Sequence, residues 1–469
     1  MKAPKIFSIL LYTILFISSF TYAGGELALN QIRRKIVNVA DDHFVIIGAG
    51  ISGLTTAQTL LKSGVSAKRI TMINREAFPG GKIHTEIIEG RPYEMGAQII
   101  IPGLYKDIEA LATSFGLKTD PLERGFFFNI LTGEKQPVLS ADEIPAFKEQ
   151  RERYLKTYAE VWHQEKDINS PYRLLDIDGL TKVHPQLNVP WHEFVKTNNF
   201  ELIEKALVSL LGGSGIEYDK FNRSYASRIV RALRPELINS VFVQGNPVRI
   251  FSGNGFQGLL ASMAEELRAA GVEFKLGQEV TKIVPSNSSK IQIHIKSQVE
   301  THVLKADQVI YTASTSQLPK LIPAINMWGF QVYENVIYSD YRTFIVKLTG
   351  ISSLVGISGS SSIVPFIQGL DESGKEKSFP VGFPILLLKP HRDSNIVMIS
   401  AHGKKGMSNE SIERNIKTYF GKLGGQVQII SGKAWEYRPK FSGNEVDQYR
   451  EALKSQGSGG VWEIGRAHV

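Results

Sequence analysis

A short apolar run, three glycines in G-x-G-x-x-G order and a helical stretch succeed one another in FVIIGAGISGLTTAQTLLKSG, Phe44 to Gly64. Little but a buried strand, a tight turn and a helix satisfies that order. Phe44 to Ile47 suits a strand inside a parallel sheet. Leu54 to Ser63 carries apolar residues at helical spacing, and Gly64 ends it. The junction presents unpaired N–H groups and the positive end of a helix dipole, a setting made for a dinucleotide pyrophosphate. Gly48 permits the turn, Gly50 lets the backbone approach a phosphate, and Gly53 lets helix and strand pack closely. Gly48, Gly50, Ile51, Ser52 and Gly53 therefore form the candidate phosphate cradle. The pattern alone does not separate FAD from NAD.

The next strand, Arg69 to Ile73, is expected to end in an acid that holds the adenosine ribose. It ends instead in Asn74, with Glu76 two residues on. Asn74 ranks first by position, although an amide lacks the charge with which a carboxylate binds a diol.

Two further stretches, PGGKIHT (Pro79 to Thr85) and YEMGAQII (Tyr93 to Ile100), complete a pattern that resembles the flavin-containing amine oxidase superfamily. Monoamine oxidases, amino-acid oxidases, carotenoid desaturases and flavin-dependent fatty-acid isomerases belong to it. The resemblance implies FAD as cofactor, with Gly80, Gly81 and Lys82 along its pyrophosphate and the segment containing Gly96, Ala97 and Gln98 beside the flavin. Lys82 replaces the usual arginine, which keeps the charge and loses the planar fork. FSGNGFQGLLASMAEELRAAG (Phe251 to Gly271) resembles the family's return helix. The backbone of Val280 is implied to hold the adenine, and ADQVIYTAS (Ala306 to Ser314) resembles the strand under the cofactor. WEYRPKF, from Trp435, resembles the approach to the family's final motif.

The implied fold is α/β: a Rossmann-like FAD domain with a parallel sheet, and an inserted α+β substrate domain. Residues 40–101, 245–316 and 435–462 are assigned to the FAD domain. Residues 102–244 and 317–434, which lack nucleotide signals, are assigned to the substrate cap, with the active site between the two. Many amine oxidases of the superfamily place a lysine near flavin N5. The matching position in YRTFIVKL is Thr343, with Arg342 beside it, a departure that weakens the case for amine oxidation. Thr343, Arg342, Tyr311 and Trp435 are the catalytic candidates, and Tyr311, Trp328, Tyr341, Trp435 and Tyr437 are candidate aromatic walls. His84 reads as structural.

The N-terminus carries Lys2 and Lys5, an apolar run from Ile6 to about Phe20, and a small residue at Ala23. Residues 1–23 are expected to be a signal peptide, which implies a periplasmic or secreted protein; an uncleaved leader is the one expected route to a membrane. The closing EIGRAHV does not read as a protein terminus, so residues 463–469 are expected to be a non-native tail. With no cysteine and no metal spacing among the ten histidines, neither disulfides nor a metal site are expected. The net charge of +8 is scattered, which speaks against nucleic-acid binding. The first expectation is an oxidoreductase that passes a hydride from a substrate C–H bond to flavin N5, with oxygen or a quinone as final acceptor. The substrate is expected to be a small amine or lipid-like molecule. The alternatives are isomerisation or desaturation of an unsaturated lipid, and an exported flavoprotein without catalysis.

Overall fold

The computed structural model describes residues 41–163, 184–205, 248–351, 362–367, 382–441 and 448–463, together with 226, 235 and 238. Positions 103–104, 125–126, 130–134, 137–138, 188, 383, 404–405, 449–450 and 453 are outside it. The leader read at 1–23 and residues 464–469 lie outside the described residues.

A five-stranded parallel sheet organises the first half of the molecule, in the order β10 (Glu273–Leu276), β2 (Ile70–Asn74), β1 (Phe44–Ile47), β14 (Gln308–Tyr311), β20 (Val461–Glu463). All four residues of β1 are buried, as a strand covered on both faces requires. One face packs against helices α1 (Ile51–Lys62) and α5 (Gly255–Ala269) through Leu54, Leu60, Leu259, Leu260 and Met263. The other packs against a second sheet of β11 (Glu279–Val284), β12 (Ile291–Lys296) and β13 (Thr301–Ala306), and against Leu318, Phe330 and Tyr333. Gly64, at φ +94°, turns the chain out of α1.

The second unit is a mostly antiparallel sheet in the order β19 (Gln426–Phe441), β15 (Val336–Thr349), β18 (Ile396–His402), β17 (Pro384–Lys389), β16 (Ser362–Ile367), β7 (Phe127–Asn129), β8 (Lys135–Gln136), with β6 (Glu123–Arg124) also on β16. Helix α6 (Asn409–Lys422) lies on one face, capped by Ser408, whose hydroxyl accepts from Ser411 N–H. Against the other face lie Phe147 and Tyr154 of α3 (Glu143–His163) and Trp191 and Phe194 of α4 (Trp191–Asn198). Two short ladders join the units: the hairpin β3 (Thr85–Ile88)/β4 (Arg91–Glu94), and β5 (Thr119–Pro121) with β9 (Arg249–Phe251).

This is the α/β class and layout expected, with shifted boundaries. Strand β19 runs unbroken through Trp435 to Phe441, so that stretch belongs to the large sheet and not to the FAD domain. Residues 318–333 pack behind the parallel sheet, and α2 (Lys106–Ser114) packs beside α1 and α5 through Ala112. Both were assigned to the cap. Apolar periodicity says that a segment is amphipathic; it does not say which of two cores receives its apolar face. Glu463 pairs with Tyr311 as the last residue of β20, one position into the stretch expected to be a tail.

Candidate functional site

The three glycines of the first turn have three separate reasons. Gly48 sits at φ +110°, a backbone that only glycine adopts freely, and a Cβ there would stand 2.7 Å from the Thr312 hydroxyl. A Cβ on Gly53 would collide with the Gly48 carbonyl. Gly50 is different: its φ of −79° and ψ of −178° suit any residue. A Cβ there would meet only the Gly80 carbonyl at 3.6 Å and Gly81 Cα at 3.7 Å, ordinary contact distances. Among the described residues nothing requires glycine at position 50. It is the N-cap of α1, with no side-chain cap and no acid in the first turn, where Ile51 and Ser52 begin the helix. The bare, positively polarised turn fits a pyrophosphate that approaches the backbone directly.

Gly80 and Gly81 close the cradle from the other side. Gly80 N–H donates to the Ala49 carbonyl at 3.0 Å, and Gly50 and Gly80 form a β-bridge. Thr312 braces the turn from beneath, donating its hydroxyl to the carbonyls of Ile47 (3.0 Å) and Gly48 (3.1 Å). Sequence reading marked the strand before Thr312 but not this role. Lys82 lies over the Tyr338 ring, 5.4 Å from its centroid, and Tyr338 is itself hydrogen-bonded to Ser314.

The Asn74 side chain is committed within the protein. Its Oδ1 accepts from Ala49 N–H at 3.1 Å, and its Nδ2 donates to the carbonyls of Glu76 (3.0 Å) and Phe78 (2.9 Å). It holds the turn and the strand end in register, whereas the exposed Glu76 carboxylate, among the described residues, makes one ion pair, with Arg75 at 3.4 Å. The amide that ranks first by position is thus occupied, while the Glu76 carboxylate faces outward. The segment that reaches Val280 docks on the same strand end, with Gln278 N–H on the Asn74 carbonyl and Gly277 N–H on that of Glu76.

The third motif packs backbone to backbone on the second. Ala97 N–H donates to the Lys82 carbonyl at 3.1 Å, Met95 N–H to that of His84 at 2.8 Å, and a Cβ on Gly96 would strike the Lys82 carbonyl. Gln98 turns back onto its own segment, its Nε2 3.3 Å from the Glu94 carbonyl. Glu94 is 4% exposed. Its Oε1 accepts from Phe256 N–H in the first turn of α5 at 2.7 Å, and its Oε2 accepts from the Thr85 hydroxyl at 2.8 Å. Burial pushes its pKa up to about 8 against the pull of those two bonds.

The catalytic candidates divide. Thr343 is fully buried; its hydroxyl donates to the Met95 carbonyl at 2.6 Å and accepts from Trp435 Nε1 at 2.9 Å. It thereby ties the third motif to the large sheet. Arg342, the next residue along the strand, points to the opposite face. There it holds Asp340 through Nε–Oδ1 at 2.5 Å and Nη2–Oδ2 at 2.7 Å, together with the Met407 carbonyl and Asn409. Tyr311 lies in the core behind the parallel sheet, its hydroxyl donating to the Ser314 carbonyl at 2.8 Å and its pKa raised by burial. Neither Arg342 nor Tyr311 lies with Thr343 and Trp435. Of the aromatic candidates, Tyr341, Trp435 and Tyr437 gather in the apolar core of the second unit, with Tyr341 and Tyr437 stacked at 5.0 Å, whereas Trp328 packs against the core behind the parallel sheet that contains Tyr311.

His84 is placed at the site as well. Its ring lies 6.5 Å from that of Trp435, and its Nε2 is 3.6 Å from the Glu86 carboxylate. Burial lowers its pKa, with Lys433 acting in the same direction and Glu86 against it.

Comparison with known proteins fits this geometry. The family described as flavin containing amine oxidoreductase matches residues 51–425. A polyenoic fatty acid isomerase from Ptilota filicina is 24% identical over 300 residues, which cover 60% of this chain and 57% of that protein. A hydroxyneurosporene desaturase from Rubrivivax gelatinosus is 36% identical over 55 residues, 12% of this chain and 10% of that one. The match thus spans little more than half the length of the first relative. Among solved structures, a fatty acid isomerase from P. acnes that produces CLA superposes with a TM-score of 0.70 at 18% identity, covering 92% of this chain and 94% of the other. Putrescine oxidase, with putrescine bound, superposes with a TM-score of 0.61 at 16% identity, covering 90% and 92%.

Proposed function

This chain belongs to the flavin containing amine oxidoreductase family, and from that premise we propose that it is an FAD-dependent enzyme that isomerises an unsaturated fatty acid. The observation that carries the choice of reaction is Thr343. Where amine oxidases of the superfamily place a lysine, this chain has a hydroxyl that donates to the Met95 carbonyl and accepts from Trp435 Nε1. Position 343 itself carries no amino group. The likeness to fatty acid isomerases, in sequence and in shape, supports the same reading.

FAD supplies the redox step when bound, taking a hydride from substrate carbon and returning it to the same molecule. The chain's own residues do the rest. Gly50, Gly80, Gly81 and the first turn of α1 hold the pyrophosphate, with Lys82 as the nearby cation. Glu76 takes the ribose, since the Asn74 amide is occupied, and the Val280 backbone takes the adenine. Thr343 and Trp435 hold the Met95 backbone in place. Tyr341 and Tyr437 offer stacked apolar faces at the edge of the large apolar core, a wall suited to an alkyl chain.

Amine oxidation is the second reading, supported by superposition on putrescine oxidase. The two separate in one experiment on the FAD-loaded protein. Polyunsaturated fatty acids are supplied without oxygen and the ultraviolet absorbance of conjugated dienes is followed; a panel of amines is supplied with oxygen and peroxide is measured. Dienes without peroxide support isomerisation. Peroxide from an amine, with no diene, overturns it. We further propose export, from the N-terminal leader; appearance of the protein outside the cytoplasm with Met1 to Ala23 removed tests that.

A further inference from the structure

Lys433 lies where no sequence motif pointed. In the β15/β19 ladder it stands directly opposite Thr343, as Trp435 stands opposite Tyr341. Opposed residues of an antiparallel pair leave the sheet on the same side, so the lysine shares the face that carries Thr343 and Trp435. Its ammonium rides over the Trp435 ring, 4.9 Å from the centroid. The same ring meets the edge of His84, in the turn that follows Gly80 and Gly81. Glu86, beside His84, accepts from the Ser431 hydroxyl at 2.7 Å, two residues before Lys433 on the same strand. The glycine turn, the third motif and the large sheet therefore meet at one half-buried cation.

That cation has a ring but no anion of its own. Among the described residues Lys433 makes no hydrogen bond or ion pair. Glu76 and Glu86 act on it only through space, and burial outweighs both and lowers its pKa. A charge withdrawn from water without a hydrogen-bonded counter-ion is expensive, and a cation–π contact offsets only part of that cost. A protein keeps such a group where something else supplies the negative charge.

We propose that Lys433 is the cation that tunes the bound flavin, stabilising the negative charge the ring gains on accepting a hydride, with Glu86 as its opposing charge. This rests on the reading that the protein holds FAD. Two charges separated by several ångströms at the rim of a protein interact strongly enough to move an equilibrium about tenfold. The two residues act with opposite sign: loss of Lys433 makes the flavin harder to reduce, and loss of Glu86 makes it easier.

The test uses the FAD-loaded protein and a reference dye of fixed potential, reading the ratio of oxidised to reduced flavin by absorbance. Lys433→Met should move that ratio about tenfold toward oxidised flavin, Lys433→Arg should restore it, and Glu86→Gln should move it toward reduced flavin. A purely structural role for Lys433 predicts no such reversal of sign. A yellow wild type whose ratio is unmoved in Lys433→Met, or moved the same way by Lys433→Met and Glu86→Gln, overturns the proposal and leaves the functional reading intact. Should Lys433→Met fail to fold, Glu86→Gln decides alone: no shift, or a shift toward oxidised flavin, overturns it. A wild type that folds without flavin overturns both.

Discussion

Glu94→Gln should flatten the fall of stability with rising pH. The folded carboxyl titrates near pH 8, against 4.5 for an ordinary glutamate, because burial outweighs the Phe256 and Thr85 hydrogen bonds. Between those values the folded chain keeps a proton that the unfolded chain has released. Stability therefore declines as pH rises through this window: the penalty is absent below about 4.5 and complete above about 8. A displacement of about 3.5 pKa units, at ~1.36 kcal/mol each, gives roughly 5 kcal/mol in full and about 4 kcal/mol between pH 5 and pH 9. The amide cannot ionise, yet its oxygen still accepts from the N-terminus of α5, so the variant keeps its helix cap. The assay is urea unfolding of both proteins at pH 5 and pH 9. The wild type should lose about 4 kcal/mol more than the variant over that interval. Equal losses in the two proteins would show that Glu94 is already ionised in the fold, and the reasoning from burial would fail.

Gly50→Ala should fold and melt like the flavin-free wild type, because a Cβ there has ordinary contacts, and yet purify without flavin; retained flavin would show that no phosphate approaches that backbone. Gly53→Ala, by contrast, should lower the melting temperature itself, since its Cβ meets the Gly48 carbonyl. Thr343→Val leaves Trp435 Nε1 and the Met95 carbonyl without their partner and should cost about 2 kcal/mol in urea unfolding. Tyr93→Phe, which removes the buried hydrogen bond to Ser394, should cost about 1 kcal/mol, whereas Arg91→Ala should leave unfolding unchanged although its ion pair with Asp393 is close, because that pair is exposed. A larger effect from Arg91→Ala than from Tyr93→Phe would reverse that ranking.

The cofactor half of the fold was legible because its signals are local. The strand, the glycine turn and the helix follow one another within Phe44 to Gly64, and the tight approach of Gly53 to the Gly48 carbonyl lies inside the same stretch. What the sequence concealed depends on register between distant strands. Nothing in YRTFIVKL shows that Thr343 faces Met95 while Arg342 faces Asp340; that follows from pairing with β18 and β19. Lys433 was invisible for the same reason, since its meaning comes from Thr343, 90 positions earlier and directly opposite. Asn74 misled in another way. Position placed it at the strand end correctly, but only the hydrogen bonds show that its amide holds the protein together and leaves Glu76 to face outward.

The parallel sheet has a consequence for how the molecule is made. Its strands β1 and β2 leave the ribosome early, whereas β20, which flanks β14 at the sheet's edge, is separated from β2 by about 390 residues. At roughly 5–20 residues per second, some 20–80 s pass between their syntheses. Throughout that interval a set of apolar strands stands with open edges, each able to pair with a neighbouring nascent chain. Yield in the cell should therefore depend on chaperones that shield the early strands more than on the stability of the finished protein.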